Sequence, residues 1–284
     1  MPKAFKYLLN TFLIATLAAG GYFAYIYHNE ILDWYYLRDY KPPAEVATLA
    51  DQAGMTDQAR RLFYRTRPQI DMTKPELVRD CMIKGEKTLE LGCYISTNNI
   101  YVFNISDPDL KTEMTVTAGH EMLHAVYQRM GLEEKRRINA ELEAVAAGIT
   151  DPKFHERMAE YERTQPGSRA NELHSILGTE YPNLTPELEA HYAKYFQDRS
   201  QIVSYSQQFD KTFDGLHAEI VQLDGAISAR RQTMDQYLAR GQVAAYNSLV
   251  PVINNDIAAY NQKVERYNQY ARELLGQENA AGTQ

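Results

Sequence analysis

The chain has 284 residues, room for one moderate globular domain plus accessory segments, and a formal net charge of −7. That acidic balance argues against nucleic acid as the main partner. With 44% hydrophobic residues, 11% aromatics and 21 tyrosines the chain is not a disordered one, and it has no Gly-rich phosphate loop.

Lys3 and Lys6 precede an apolar run from Tyr7 to Tyr27, interrupted only by Asn10, Thr11, Thr16 and glycines. As a helix the run spans about 30 Å, so residues 1–40 are expected to form an N-terminal transmembrane anchor and juxtamembrane segment. A cleaved signal peptide is the rival, because Leu17-Ala18-Ala19 offers small residues for processing. Against cleavage, Tyr22 to Tyr27 continue the apolar run, and with Trp34-Tyr35-Tyr36 they suit a membrane-interface belt. The expected location is a cell membrane crossed once.

Residues 41–200 read as the main domain. Ala44 to Ala50 predicts a short helix, and Leu62-Phe63-Tyr64 a strand. Cys81 and Cys93, the two cysteines of the chain, bracket a hairpin-like segment and read as a disulfide in an oxidising compartment. The domain would then lie outside the cytoplasm; two reduced thiols in a cytoplasm-facing domain are the alternative. Asn99 to Ile105 is rich in β-branched and aromatic residues and predicts a strand leading into the next helix. It is either an ordinary sheet strand or an edge strand above a metal, able to pair with an extended peptide.

That next helix is expected to start at Asp107-Pro108 and stop at Gly131, and it carries His120-Glu121-Met122-Leu123-His124. Two histidines four residues apart stand on one helical face, where both imidazoles can reach one tetrahedral zinc ion. Glu121 is then placed to take a proton from a water on that zinc. The plainer reading is a helix with two histidines and a surface glutamate. The common stripe of Val116, His120, Leu123, His124 and Tyr127 weighs against it.

Leu132–Gly148, Pro152–Arg163 and Ser168–Leu177 predict three further helices, the last capped by Ser168. A catalytic zinc needs a third protein ligand. Asn171-Glu172-Leu173-His174-Ser175 offers Glu172 and His174, which lie about 200° apart on a helix, so both cannot face one metal. Glu141 and Glu143 read as solvent-facing, and His28, His155, His191 and His217 as surface or interface residues.

His120-Glu121-x-x-His124, followed on a later helix by Asn171-Glu172-x-x-Ser175, resembles the gluzincin group of zinc peptidases, to which thermolysin-like enzymes belong. The resemblance covers the two motif helices and the preceding strand, about a quarter of the chain. It implies an α+β zincin-like domain, Glu172 as third zinc ligand, and hydrolysis of a peptide or protein substrate with Glu121 as general base. His174, Tyr181 and Tyr192 are candidate oxyanion donors, so the expected catalytic set is Glu121, His174 and Tyr181. Thermolysin-like enzymes follow the serine with an aspartate that orients a metal histidine. This chain has Ile176 there, which leaves Ser175 as the substitute. The stretch from Glu172 to Glu180 also resembles uncharacterised bacterial membrane-anchored proteins, which adds no activity.

Residues 201–284 change character. Phe209, Phe213, Leu216, Ile220, Leu223 and Ile227 alternate steps of four and three, as do Val243, Tyr246, Val250, Ile253, Ile257 and Tyr260. With a reversal at Ala239-Arg240-Gly241-Gln242 they predict an antiparallel coiled-coil hairpin, kinked at Pro251 and frayed from Gly276. The hairpin could pack, self-associate or engage a protein partner. Two other readings of the whole chain therefore stand beside a peptidase: a cell-surface coiled-coil interaction protein with structural zinc, and a zinc amide hydrolase acting on cell-wall peptides.

Overall fold

The computed structural model describes residues 3–72, 74–83, 91–95 and 97–275. The chain starts with α1 (Lys3–Ile26) and α2 (His28–Leu37). Among the described residues no helix is long and apolar enough to cross a membrane. The expected transmembrane anchor, the membrane as a partner through it and the single-pass location are all corrected by this. Asn10, Thr11, Thr16, Gly20, Gly21, Tyr22 and Tyr25 dilute the apolar residues along α1. α2 is fastened to the body through buried Asp33, whose carboxylate accepts two hydrogen bonds from Arg129, at 2.6 and 3.0 Å.

Next come α3 (Ala44–Gln52) and α4 (Asp57–Arg65). α4 takes the place of the strand expected at Leu62–Tyr64. Thr56 caps it by accepting from Ala59 N, and Ala59, Leu62 and Phe63 fall at helical spacing on its buried face. A three-residue apolar run has no period of its own, so the cap and the outer positions decide.

A single small sheet follows, built from β1 (Gln69–Met72), β2 (Gly92–Ile95) and β3 (Asn99–Phe103), with α5 (Lys74–Ile83) between the first two. Its order is β1-β3-β2. β1 runs parallel to β3 (Gln69 opposite Tyr101), and β2 antiparallel to it (Cys93 opposite Tyr101). Among the described strands the one before the motif helix is therefore central, with β1 and β2 on its two sides. Cys81 on α5 and Cys93 on β2 form a disulfide, with both residues buried. The first arm of the expected hairpin is thus helical at Cys81, and residues 84–90 of that segment lie outside the described residues.

The motif helix is α6 (Glu113–Arg129), starting later than Asp107-Pro108. Residues 108–112 form turns instead, and Asp107 Oδ1 accepts from Asp109 N to close the first of them. Then come α7 (Leu132–Ala146), α8 (Pro152–Thr164), α9 (Arg169–Thr179) and α10 (Pro186–Tyr192). Ser168 precedes α9 but makes no capping bond.

Two long helices finish the chain, α11 (Arg199–Ala239) and α12 (Val243–Leu275). Ion pairs Arg230–Asp256 and Lys263–Glu219 show that they run antiparallel. α12 remains helical through Pro251. The base of the pair belongs to the main core, while Ile227, Met234 and Ile253 form a second small core farther out. Residues from Gly276 onward, expected to fray, lie outside the described residues.

Among the described residues the count is twelve helices against three short strands in one sheet. The α+β zincin-like architecture expected for this chain is therefore corrected to a mainly helical fold.

Candidate metal centre

α6 is buried from Met114 to Val126, flanked by α9, α11, α3, α4 and the sheet. A helix enclosed on all sides normally carries apolar side chains throughout. This one carries His120 (8% exposed), Glu121 (4%) and His124 (3%), and faces Glu172 (2%) on α9. Ionisable groups taken out of water in this way need partners, and clusters of them mark functional sites. Gly178 lets the two helices approach, since a Cβ there would fall 2.4 Å from Leu123 Cδ1 on α6.

The structure brings His120, His124 and Glu172 together. Nε2 of each histidine lies 3.7 Å from Glu172 Oε2, and one ligand atom from each residue lies within 4.8 Å of the others. A tetrahedral ion with bonds of about 2.1 Å needs ligand atoms about 3.4 Å apart, so this group can hold a metal ion. A separation of 3.7 Å is too long for a hydrogen bond, and Glu172 Oε2 accepts none although it is buried. Burial pushes the Glu172 carboxyl up, but the imidazoles of His124 and His120 outweigh it and hold the group below the usual carboxylate range. The imidazoles cross at 81° with centroids 4.7 Å apart, and Ser175 Oγ lies 3.2 Å from His124 Nδ1.

Glu121 lines a narrow cleft of about 40 Å³ with His120, Thr117, Glu113, Glu180 and Leu91. Glu180 is held at the rim by two hydrogen bonds from Arg157, at 2.6 and 3.1 Å. A larger cavity of about 660 Å³ lies elsewhere, between α2, α4 and the C-terminal end of α6. Its buried Asp33 is paired with Arg129, and the His120, His124 and Glu172 group lies outside it. No family model, curated protein or solved structure matches the chain. The chemistry of the site carries the functional argument alone.

The structure places the other sequence candidates away from the ligand cluster. His174 is fully buried, with its Nε2 2.9 Å from His191 Nε2 and its ring against Tyr127 and Tyr192. Burial and the neighbouring His191 hold its imidazole well below the ordinary histidine range. Tyr181 sets its ring edge-on to Phe154, and burial pushes its hydroxyl up to about 12. Tyr192 donates to the His174 carbonyl oxygen at 2.7 Å. His191, expected from sequence as a surface or interface residue, is buried at the centre of this aromatic group. The signal was present: Thr185-Pro186 starts a helix, which puts Leu188, His191 and Tyr192 on one face. Glu141, expected in solvent, accepts from Thr185 Oγ1, and Glu143 pairs with Arg169.

Proposed function

We propose that this protein is a zinc-dependent metallopeptidase of gluzincin type. The observation that carries the reading is the convergence of His120, His124 and Glu172, with His120 and the adjoining Glu121 lining a narrow cleft. Two imidazoles and a carboxylate are a donor set that suits zinc, and three protein ligands leave one position open. When bound, zinc acidifies a water and polarises a carbonyl. Glu121 accepts the proton and later returns it to the leaving amine. Ser175 orients His124 through Nδ1. An extended peptide lies along the β2 edge, next to the cleft wall that includes Leu91. In this reading Glu121 alone carries the proton transfer, while His174 helps to fix α9 through His191.

The test joins metal analysis to one substitution. The purified chain is expected to take up one zinc per molecule and to cleave unstructured peptides. Glu121→Gln is expected to keep the zinc and lose turnover by at least a hundredfold. A chain that takes up zinc but cleaves no peptide, with partner binding unaltered in Glu121→Gln, is instead an interaction protein with structural zinc. Turnover confined to cell-wall amides assigns the amide hydrolase. Absence of metal uptake overturns all three.

A further inference from the structure

The base of the C-terminal hairpin grips the metal helix at two places. On the α11 side, Ile202 is fully buried against Gly119, the residue before His120; a Cβ on Gly119 would fall 2.3 Å from Ile202 Cδ1. On the α12 side, Glu273 accepts hydrogen bonds of 2.6 Å from both the backbone N and the Oγ of Ser106. Arg266 reaches Asp107 at 3.1 Å and Asp109 at 2.6 Å, and Tyr270 OH donates to Asp109 at 2.9 Å. Ser106 to Asp109 is the turn that leads from β3 into α6.

Arg266, Tyr270 and Glu273 recur at steps of four and three, so they share one face of α12 and act on that turn together. Tyr270 is 3% exposed and packs on Phe213 of α11 with ring centroids 5.5 Å apart, which ties the clasp to both arms. Lys74 of α5 adds an attractive charge to Glu273. A lone exposed ion pair contributes little, but these groups share partners and include buried Asp107 and Tyr270. Glu172 stands on α9, outside the clasp, so the position of α6 against α9 sets the shape of the ligand group.

We propose that Arg266, Tyr270 and Glu273 are positioning residues of the metal centre, holding the start of α6 while Ile202 holds its middle. This inference rests on the metal-binding reading of His120, His124 and Glu172. Releasing the clasp lets the start of α6 shift, so the two histidines move against Glu172 while the main core persists. By linkage, metal in the site tightens the clasp and slows hydrogen exchange at the Ser106 amide.

The experiment uses the full chain and zinc itself, with affinity read by competition against a chromophoric chelator and peptide turnover measured in parallel. Glu273→Gln and Arg266→Gln are expected to weaken zinc binding about threefold or more and to lower kcat with KM unchanged. Arg266→Lys, which keeps the charge, is expected to restore part of the loss. Lys263→Gln, a change elsewhere on α12 that removes its pair with Glu219 of α11, is expected to match the wild-type chain. Clasp variants that bind zinc like wild type overturn the inference, as does an equal loss in Lys263→Gln. Should the Gln variants fail to fold, Arg266→Lys and Ser106 exchange with and without zinc decide: unchanged affinity and unchanged exchange overturn it. A wild-type chain that takes up no zinc overturns the metal reading itself, a separate result.

Discussion

Ser175 Oγ lies 3.2 Å from His124 Nδ1, and that contact leaves Nε2 of the same ring facing Glu172. The serine stands three residues after Glu172 on α9, so one helix supplies both a candidate ligand and a group in contact with another candidate ligand. A ring held at one nitrogen presents the other in a fixed direction. Ser175→Ala is expected to weaken metal binding by about tenfold to a hundredfold, with little effect on unfolding of the chelated protein. Chelator competition measures it, and affinity within twofold of wild type removes Ser175 from the site.

Gly119 permits α11 to lie against α6. Alanine there gains about 1 kcal/mol of helix propensity. The clash with Ile202 Cδ1 costs about 1–3 kcal/mol, so the net change is a loss of stability. The other neighbours, Thr179 Cγ2 at 3.6 Å and Phe196 Cε1 at 3.7 Å, are at ordinary contact distance. Adding Ile202→Val, which deletes the clashing methyl, is expected to recover most of the loss in urea unfolding. Additive effects of the two changes would contradict this account, because residues in contact couple.

The sequence made the ligand helix legible for a simple reason: His120 and His124 belong to one helix, and four-residue spacing is a local property. The closeness of Glu172 is not local. It depends on α9 packing on α6, and from sequence it came only through a resemblance. The burial of His191, expected as a surface or interface residue, is not local either: it comes from contacts with His174 on α9 as well as with its neighbours Tyr192 and Tyr195. The fold class failed in the same way. Leu62-Phe63-Tyr64 has β-prone composition, but Thr56 and the packing of Ala59 and Phe63 make it helical. The apolar N-terminal run was judged by its length, its flanking lysines and its aromatic belt, yet no described helix is long and apolar enough to cross a membrane.

The Cys81–Cys93 disulfide closes a short loop, with a sequence separation of 12, and is buried at both ends. A loop of that size contributes about 3 kcal/mol by restricting the unfolded chain. Mild reductant on the native protein is expected to leave the bond intact, because it cannot reach the sulfurs. The Cys81→Ser, Cys93→Ser double variant is expected to unfold at lower urea concentration by roughly that amount. Rapid reduction under native conditions, followed by thiol labelling and mass spectrometry, would show that the β2 edge opens freely.

The His174–His191 pair makes the metal-free fold sensitive to acid. Burial first, then Lys194 and Arg137 against the opposing Glu134, lower the His191 imidazole from 6.5 to about 4. From α9 it meets His174, which is itself depressed. Because the folded value lies below the unfolded one, the unfolded chain binds more protons between those two pH values. The stability is therefore complete above pH 6.5 and falls as the pH drops toward 4, by on the order of 3 kcal/mol if His191 acts alone. His191→Gln keeps a hydrogen-bonding group beside His174 without a titrating ring, so its stability should fall less steeply over that interval. Urea midpoints of the chelated proteins between pH 4.5 and 7.5 make the comparison. Parallel pH profiles for the two proteins would mean that His191 is already charged in the fold, or that it does not titrate differently on unfolding.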